Sequence, residues 1–477
     1  MLSSLRIQRY RYRVLHIARE KHLSRTCIRG LHDDVLDDLK ARGLVSQVSS
    51  SETKLRETLR QPQAVYVGVD PTAEYLHVGH LLPLLTLFHF YIRGHKVVPL
   101  IGGATGLVGD PSGRNTERPL SDAANVERNV EKLRSAVTKF FDSASSYARK
   151  YVSLPNTALE TPHIKSNIEW FKGMGLLEFL RVVGVHARVN TMLSRESVSA
   201  RLASQQGISF TEFTYQLLQA YDFYVLHKDS GCTIQIGGSD QWGNIVAGID
   251  LINRIDPHVG SDGAHEDKAF GITTPLLTTA SGAKFGKSAG NAVALDPEVT
   301  SVFDFYQFFL RTPDTDVGRY LKLFTLLPID TIEDTLHEHK ASPDARRAQQ
   351  LLASEVTEMV HGAASVQKAQ VVTKVLYESD LHDLKANEVL AALDGDPRLR
   401  FLPEADLLSL PVTKLAFTYG LAASNSAARQ LVAMKGLYVN NRPVTEPRQT
   451  IQREDLLDNR LVILRSGSSK QVVLANQ

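Results

Sequence analysis

The sequence predicts an α/β fold with a doubly wound parallel sheet, followed by an all-α domain and a small α+β module. Three observations carry that reading. Short apolar runs at residues 64–69, 97–101, 233–236 and 272–278 each lead into a polar or glycine-bearing loop, as strands of a buried sheet do. Helical patterns separate these runs, notably at residues 81–93, 127–147, 176–188 and 212–226, and alternation of this kind argues for parallel strands with crossover helices. From about residue 301 to 393 the strand signals vanish and helices dominate, the first crowded with Phe303, Phe305, Tyr306, Phe308 and Phe309. The resulting division is a leader at 1–30, a sheet domain at 31–300 with an inserted helical connective segment, a helical domain at 301–395 and a final module at 396–477.

The first 30 residues hold eight basic side chains against the single acid Glu20, a net charge of +7 on a chain whose total is +2. With Leu2, Leu5, Ile7, Leu15 and Ile17 interspersed, this stretch reads as a transit peptide that is amphipathic when helical. A solvated basic tail or an arm that binds RNA is the alternative. Residues 35–45 follow with a helical apolar pattern ending near Gly43.

The first strand runs into Asp70-Pro71-Thr72 and then a helix opening with His77-Val78-Gly79-His80. Asp and Thr are capping types, so the amide hydrogens at the helix start favour phosphate nearby. His77 and His80 share a helical face from which ring nitrogens can donate to phosphate oxygens, and Gly79 lets a flat base approach the backbone. The same spacing also suits surface or capping histidines. Pro83 falls early in this helix and predicts a local kink. After the second strand comes a glycine-dense run from Gly102 to Gly113, in which Asp110 suits a substrate ammonium. It lacks the Gly-Lys-Ser/Thr ending of a Walker loop.

Tyr215, Gln219 and Asp222 fall at i, i+4 and i+7 on a helix otherwise rich in Phe213, Leu217, Leu218, Tyr221 and Phe223. Such a polar stripe faces either a polar ligand or solvent. The strand containing Gln235 then leads into Gly237-Gly238-Ser239-Asp240-Gln241, which puts an acid where a ribose hydroxyl can bind. The last strand is followed by Lys284-Phe285-Gly286-Lys287-Ser288, two lysines on a loop that suit a pyrophosphate whose charge grows during reaction. In the final module a helix-like stretch from Pro411 precedes a second helix near Ala427, a strand and turn at 436–441 and a last strand at 460–464. Residues 411–477 carry nine basic side chains and four acids, which attracts a polyanion to that end.

Composition excludes several classes. No apolar run approaches the roughly 20 residues that span a bilayer, so no membrane segment is expected. Cys27 and Cys232 are the only cysteines, which leaves neither a disulfide framework nor a zinc cluster. No protein-bound metal is expected.

H-V-G-H at 77–80 and, about 200 residues on, K-F-G-K-S at 284–288 together resemble the paired signatures of class I aminoacyl-tRNA synthetases. The stretches around Tyr66–Asp70, Gly102–Gly113, Tyr215–Asp222 and Gly237–Gln241 make the chain similar to the tyrosyl-tRNA synthetases of the bacterial and organellar kind. That resemblance implies a Rossmann-like catalytic domain, a helical anticodon-binding domain and an S4-like RNA-binding module. It also implies a tyrosine pocket in which Tyr66 and Asp222 hold the phenol, Asp110, Tyr215 and Gln219 surround the ammonium, and Asp70 and Gln235 complete the lining. His77, His80, Lys284 and Lys287 are implied as catalytic groups, with Gly68, Thr72, Gly79, Gly238, Asp240, Gln241 and Ser288 also around ATP. ATP is then a substrate accompanied by Mg²⁺, and the partners are L-tyrosine, mitochondrial tRNA(Tyr) and a second copy of the chain, in the mitochondrial matrix. Two positions depart from the family pattern: Val67 where many relatives have cysteine, and Asn425-Ser426 where relatives often carry Lys or Arg. The second departure shifts the expected RNA contacts to Arg429, Lys435 and Arg442.

Overall fold

Strands β1 (Gln47–Val48), β2 (Ala64–Val69), β3 (Lys96–Ile101), β4 (Lys165–Ser166), β5 (Cys232–Gly238) and β6 (Phe270–Thr274) form one sheet in the order β1-β6-β5-β2-β3-β4. The computed structural model describes residues 34–113, 116, 121–152, 161–203, 207–257, 268–278, 293–377, 381, 384–467 and 470–476. The five strands from β6 to β4 are parallel, and β1 adds an antiparallel edge, Gln47 opposite Thr273. Among the five parallel strands chain order runs outward from β2 in both directions, so the crevice between the carboxyl ends of β2 and β5 is the switch point where ligands bind in such sheets. β2 is buried at every position except Gly68, as expected of a strand covered on both faces.

Two short strands, β1 and β4, were not legible in the sequence, being two residues each. β6 ends at Thr274 rather than 278, because Pro275 has no N–H to extend the ladder.

The helices of this part are α1 (Val35–Arg42), α2 (Glu52–Leu59), α3 (Val78–Tyr91), α4 (Thr105–Val108), α5 (Ala123–Ala148), α6 (Ile168–Phe171), α7 (Leu176–Val182), α8 (Val189–Leu193), α9 (Glu196–Ala203), α10 (Phe210–Ser230) and α11 (Trp242–Ile255). α1 stops at Gly43, whose φ of 76° is the left-handed cap only glycine adopts cheaply. The helix expected over 176–188 is broken: α7 gives way to a 3-10 turn at Gly184–His186, where glycine and the β-branched Val182, Val183 and Val185 disfavour continuation. α3 runs through Pro83 as one assigned helix.

The following helices are α12 (Val302–Leu310), α13 (Asp314–Phe324), α14 (Ile329–Ala341), α15 (Arg347–His361), α16 (Ala363–Tyr377) and α17 (Ala386–Ala392). Packing divides the chain into two compact units. Phe308–Val360 belongs with the first sheet, whereas Val302–Gln307 and His361–Gln477 form the second unit. Within the first unit, the hydroxyls of Tyr147 (2.8 Å) and Tyr151 (2.5 Å) both donate to the buried Glu355 carboxylate, fastening α15 to α5.

The second unit holds the sheet β7-β11-β10-β8-β9, made of β7 (Leu399–Leu402), β8 (Leu437–Val439), β9 (Arg442–Pro443), β10 (Leu461–Ser466) and β11 (Lys470–Asn476). Its other helices are α18 (Glu404–Ser409), α19 (Val412–Thr418) and α20 (Asn425–Ala433). Alternation along β10 separates two cores. Val462 and Leu464 pack with Leu415, Ala428 and Val432 on one face, and Leu461 and Ile463 pack with Val372, Val375 and Val389 on the other. The last helices of the expected all-α segment therefore cover the back of the final sheet, and β11, rather than the strand near 460–464, is the last. Asn440 and Asn441, with φ of 46° and 63°, make the tight turn from β8 to β9. Among the described residues no helix is long and apolar enough to cross a membrane.

Candidate active site

A cavity of about 320 Å³ opens at the carboxyl ends of β2 and β5. Its walls include Tyr66, Gly68, Asp70 and Thr72 from β2 and its loop, His77, Gly79 and His80 from the start of α3, and Asp110 from the glycine run. Tyr215, Gln219 and Asp222 come from α10, and Gln235, Gly238, Asp240 and Gln241 from β5 and the turn after it. The polar stripe on α10 thus faces a cavity and not bulk solvent. Lys284, Lys287 and Ser288 lie outside the described residues.

One end of the cavity is a buried carboxylate network. Asp222, 3% exposed, accepts from Asn167 Nδ2 (3.0 Å) and Trp170 Nε1 (2.8 Å). Burial pushes its carboxyl up to about 8, against the pull of those two donors. Beside it, the buried Tyr66 hydroxyl has no hydrogen-bond partner among the described residues, and neither has the buried Gln235 Oε1. Burial, then the nearby Asp222 charge, raises the Tyr66 phenol well above its usual range, so it stays protonated. Asp70 accepts from Thr105 Oγ1 (2.9 Å) and from the Tyr215 hydroxyl (2.6 Å). Asp110 accepts from the Ser112 amide (2.9 Å) and from Gln241 Nε2 (2.7 Å), so Gln241, expected beside a nucleotide, is tied to the carboxylate end.

The other end is built on the first turn of α3. His77 is the N-cap, its Nδ1 accepting from the Gly79 amide at 3.1 Å, while His80 Nδ1 accepts from the His77 amide at 3.1 Å. A backbone N–H can only donate, so both rings are held with Nδ1 bare and the proton on Nε2, the tautomer that donates to a phosphate oxygen. The rings stack at 3.8 Å. A Cβ on Gly79 would lie 2.9 Å from His77 Cε1, which explains glycine there. Asp240 is clasped by glycines: a Cβ on Gly238 would meet its Oδ1 at 2.7 Å, and one on Gly113 its Oδ2 at 3.3 Å.

Residues 58–378 match the family described as tRNA synthetases class I (W and Y). The chain is 43% identical over 450 residues to a mitochondrial tyrosine–tRNA ligase of Saccharomyces cerevisiae, covering 93% of this chain and 89% of that one. The chain belongs to the class I tRNA synthetases. A tyrosine–tRNA ligase of Citrobacter koseri is 42% identical over 443 residues, covering 92% of this chain and 97% of its own. Among solved structures, a C-terminally truncated mitochondrial tyrosyl-tRNA synthetase of Aspergillus nidulans matches with a TM-score of 0.66 and 36% identity, over 72% of this chain and 95% of that one. One from Coccidioides posadasii gives 0.64 and 36%, over 76% and 98%. As in any class I tRNA synthetase, ATP is a substrate. Among the described residues no group of three or more His, Cys, Asp or Glu side chains could hold a metal ion.

Three residues that hold the family's pocket together escaped the sequence reading: Asn167, Trp170 and Thr105. Asn167 and Trp170 sit just beyond the two-residue strand β4, in a stretch with no periodicity to mark it.

Proposed function

We propose that the chain activates L-tyrosine with ATP and transfers it to mitochondrial tRNA(Tyr) in the mitochondrial matrix. The observation that carries this is the presence, in the wall of one cavity, of a buried Tyr66 hydroxyl with no partner among the described residues together with the buried Asp222 carboxyl. An acceptor and a donor waiting in an apolar surround fit a phenol, and a site built to bond a hydroxyl rejects the analogue without one. Asp110, Tyr215 and Gln219 then face the ammonium, with Asp70 and Gln235 beside them.

In the first step the tyrosine carboxylate attacks the α-phosphate and pyrophosphate leaves. Positioning and charge stabilisation suffice, with no protein nucleophile. His77 and His80 donate from Nε2 to the phosphates, Asp240 takes the ribose, and Gly68, Thr72, Gly79 and Gly238 let the nucleotide lie close to the backbone. Lys284, Lys287 and Ser288 cover the pyrophosphate. In support, the chain just after that loop is clipped to α3, Val78 N donating to Val293 O at 3.0 Å and Leu295 N to Leu76 O at 2.8 Å. Mg²⁺ arrives with ATP, held by phosphates and water.

In the second step the terminal ribose hydroxyl of tRNA attacks the adenylate's acyl carbon and AMP leaves. Arg429, Lys435 and Arg442, all exposed on the second unit, are the proposed RNA contacts, aided by Arg465, stacked 4.0 Å over the Tyr438 ring. A homodimer is supported by Leu176, Leu177, Val185, Val189 and Phe210, apolar side chains between residues 176 and 210 that are each more than half exposed. The test is ATP–pyrophosphate exchange by the protein lacking residues 1–30. Exchange with tyrosine and none with tryptophan or phenylalanine is expected; exchange with tryptophan instead would overturn the assignment.

A further inference from the structure

The carboxylates at the two poles of the pocket, Asp70 and Asp222, are joined through the side chains of Thr105 and Asn167. Asn167, 0% exposed, accepts from the Ala104 amide at its Oδ1 (2.7 Å), which settles which way its amide faces. Both hydrogens of its Nδ2 are then committed, one to Asp222 Oδ2 and one to Thr105 Oγ1, each at 3.0 Å. Thr105, accepting from Asn167, has a single proton left, and it goes to Asp70 Oδ1 at 2.9 Å. The polarity of the whole chain is determined from one backbone amide.

A second feature guards the same bond. A Cβ placed on Gly102 would lie 2.2 Å from Thr105 Oγ1 and 2.3 Å from Asp70 Oδ1, directly on the hydrogen bond between them. Gly102 has an ordinary backbone conformation, so space and not φ excludes a side chain there.

We propose that Thr105 and Asn167 are positioning residues for selectivity: they form a relay that holds Asp222 at the phenol pole in register with Asp70 at the ammonium pole. The inference rests on the tyrosine reading of the pocket. Both carboxylates accept from neutral donors, and the relay stops either from turning to satisfy the other pole. Losing the Thr105 hydroxyl takes from Asn167 one of the two acceptors that fix its amide and lets Asp222 swing away from the phenol, although Thr105 reaches Asp222 only through Asn167.

The test is pyrophosphate exchange by the full chain without residues 1–30, comparing wild type with Thr105→Val, Thr105→Ser, Gly102→Ala, Asn167→Ser and the double variant Thr105→Val/Asn167→Ser. Thr105→Val is expected to raise the tyrosine KM and to cut the tyrosine-over-phenylalanine ratio of kcat/KM by roughly tenfold, the worth of one hydrogen bond to a charged group, with little change in the ATP KM. Thr105→Ser keeps the hydroxyl and restores the ratio, and Gly102→Ala reproduces the loss. Members of one network are non-additive, so the double variant should lose no more than the worse single one. Equal losses with tyrosine and phenylalanine, or additive losses in the double variant, would overturn the relay while leaving the tyrosine pocket standing. Wild-type protein that exchanges with no tyrosine at all would overturn the pocket, and the relay with it. If Thr105→Val does not fold, Asn167→Ser measured alone on the same ratio decides.

Discussion

Asp222 concentrates the cost and the selectivity of the pocket in one side chain. Its acid form is favoured by burial up to about 8, whereas the unfolded chain releases that proton near 3.8. Between those values the folded state holds a proton the unfolded state has lost, so stability falls as pH rises through the window and levels off above it. Asp222→Asn removes the titration. Urea denaturation from pH 4 to 8 should therefore show a flatter stability profile for the variant than for wild type, and an unchanged slope would show that Asp222 is ionised throughout. The same substitution replaces the carboxyl beside the phenol, which can give up its proton and accept, with an amide whose two N–H hydrogens are fixed. Tyrosine-over-phenylalanine discrimination should drop by roughly tenfold or more, with the ATP KM little altered, since the nucleotide end is built on different residues.

At the scale of elements, α3 carries the histidine pair at one end and is anchored at the other. Asp38 on α1 bonds Arg93 just past the end of α3 at 2.6 Å and Arg42 on its own helix at 2.7 Å. Arg42 in turn donates to the carbonyls of Thr325 (2.9 Å) and Leu327 (3.0 Å), beyond the end of α13. One buried guanidinium therefore joins α1 to the α13–α14 connection and, through Asp38, to α3. Arg42→Met leaves Asp38 and two carbonyls short of a donor, and is expected to cost about 3 kcal/mol in denaturant melts. A loss below about 0.5 kcal/mol, the scale of an exposed pair, would show that the arginine is solvated in solution.

At the scale of the molecule, the exposed apolar side chains on α7, α8 and the start of α10 are what a second copy of the chain would cover in the proposed dimer. Leu177, 77% exposed, is the most exposed of these residues, so a charge there disturbs little of the folded chain. Leu177→Lys should convert a dimer to a monomer in sedimentation equilibrium with an unchanged far-ultraviolet spectrum. A wild-type protein that sediments as a monomer at micromolar concentration would sink the dimer.

How much of this was legible in one dimension differs by kind of residue. The longer parallel strands, the glycine loops, the histidine pair and the α10 stripe were readable, because periodicity and turn chemistry are local properties of a few consecutive residues. All the described residues named for the site line one cavity. By itself, then, the sequence determined the order of the elements and the polar groups at the ends of the strands. The partners of those groups were not readable: Asp222 meets Asn167 and Trp170 across 55 and 52 residues, and Tyr215 meets Asp70 across 145. Nor was it readable that α16 and α17 cover the final sheet, since β10 is apolar on both faces and its alternation is hidden. Those pairings were decided only by the tertiary structure, because burial forces each polar group to find a donor or acceptor wherever folding brings one, regardless of distance along the chain.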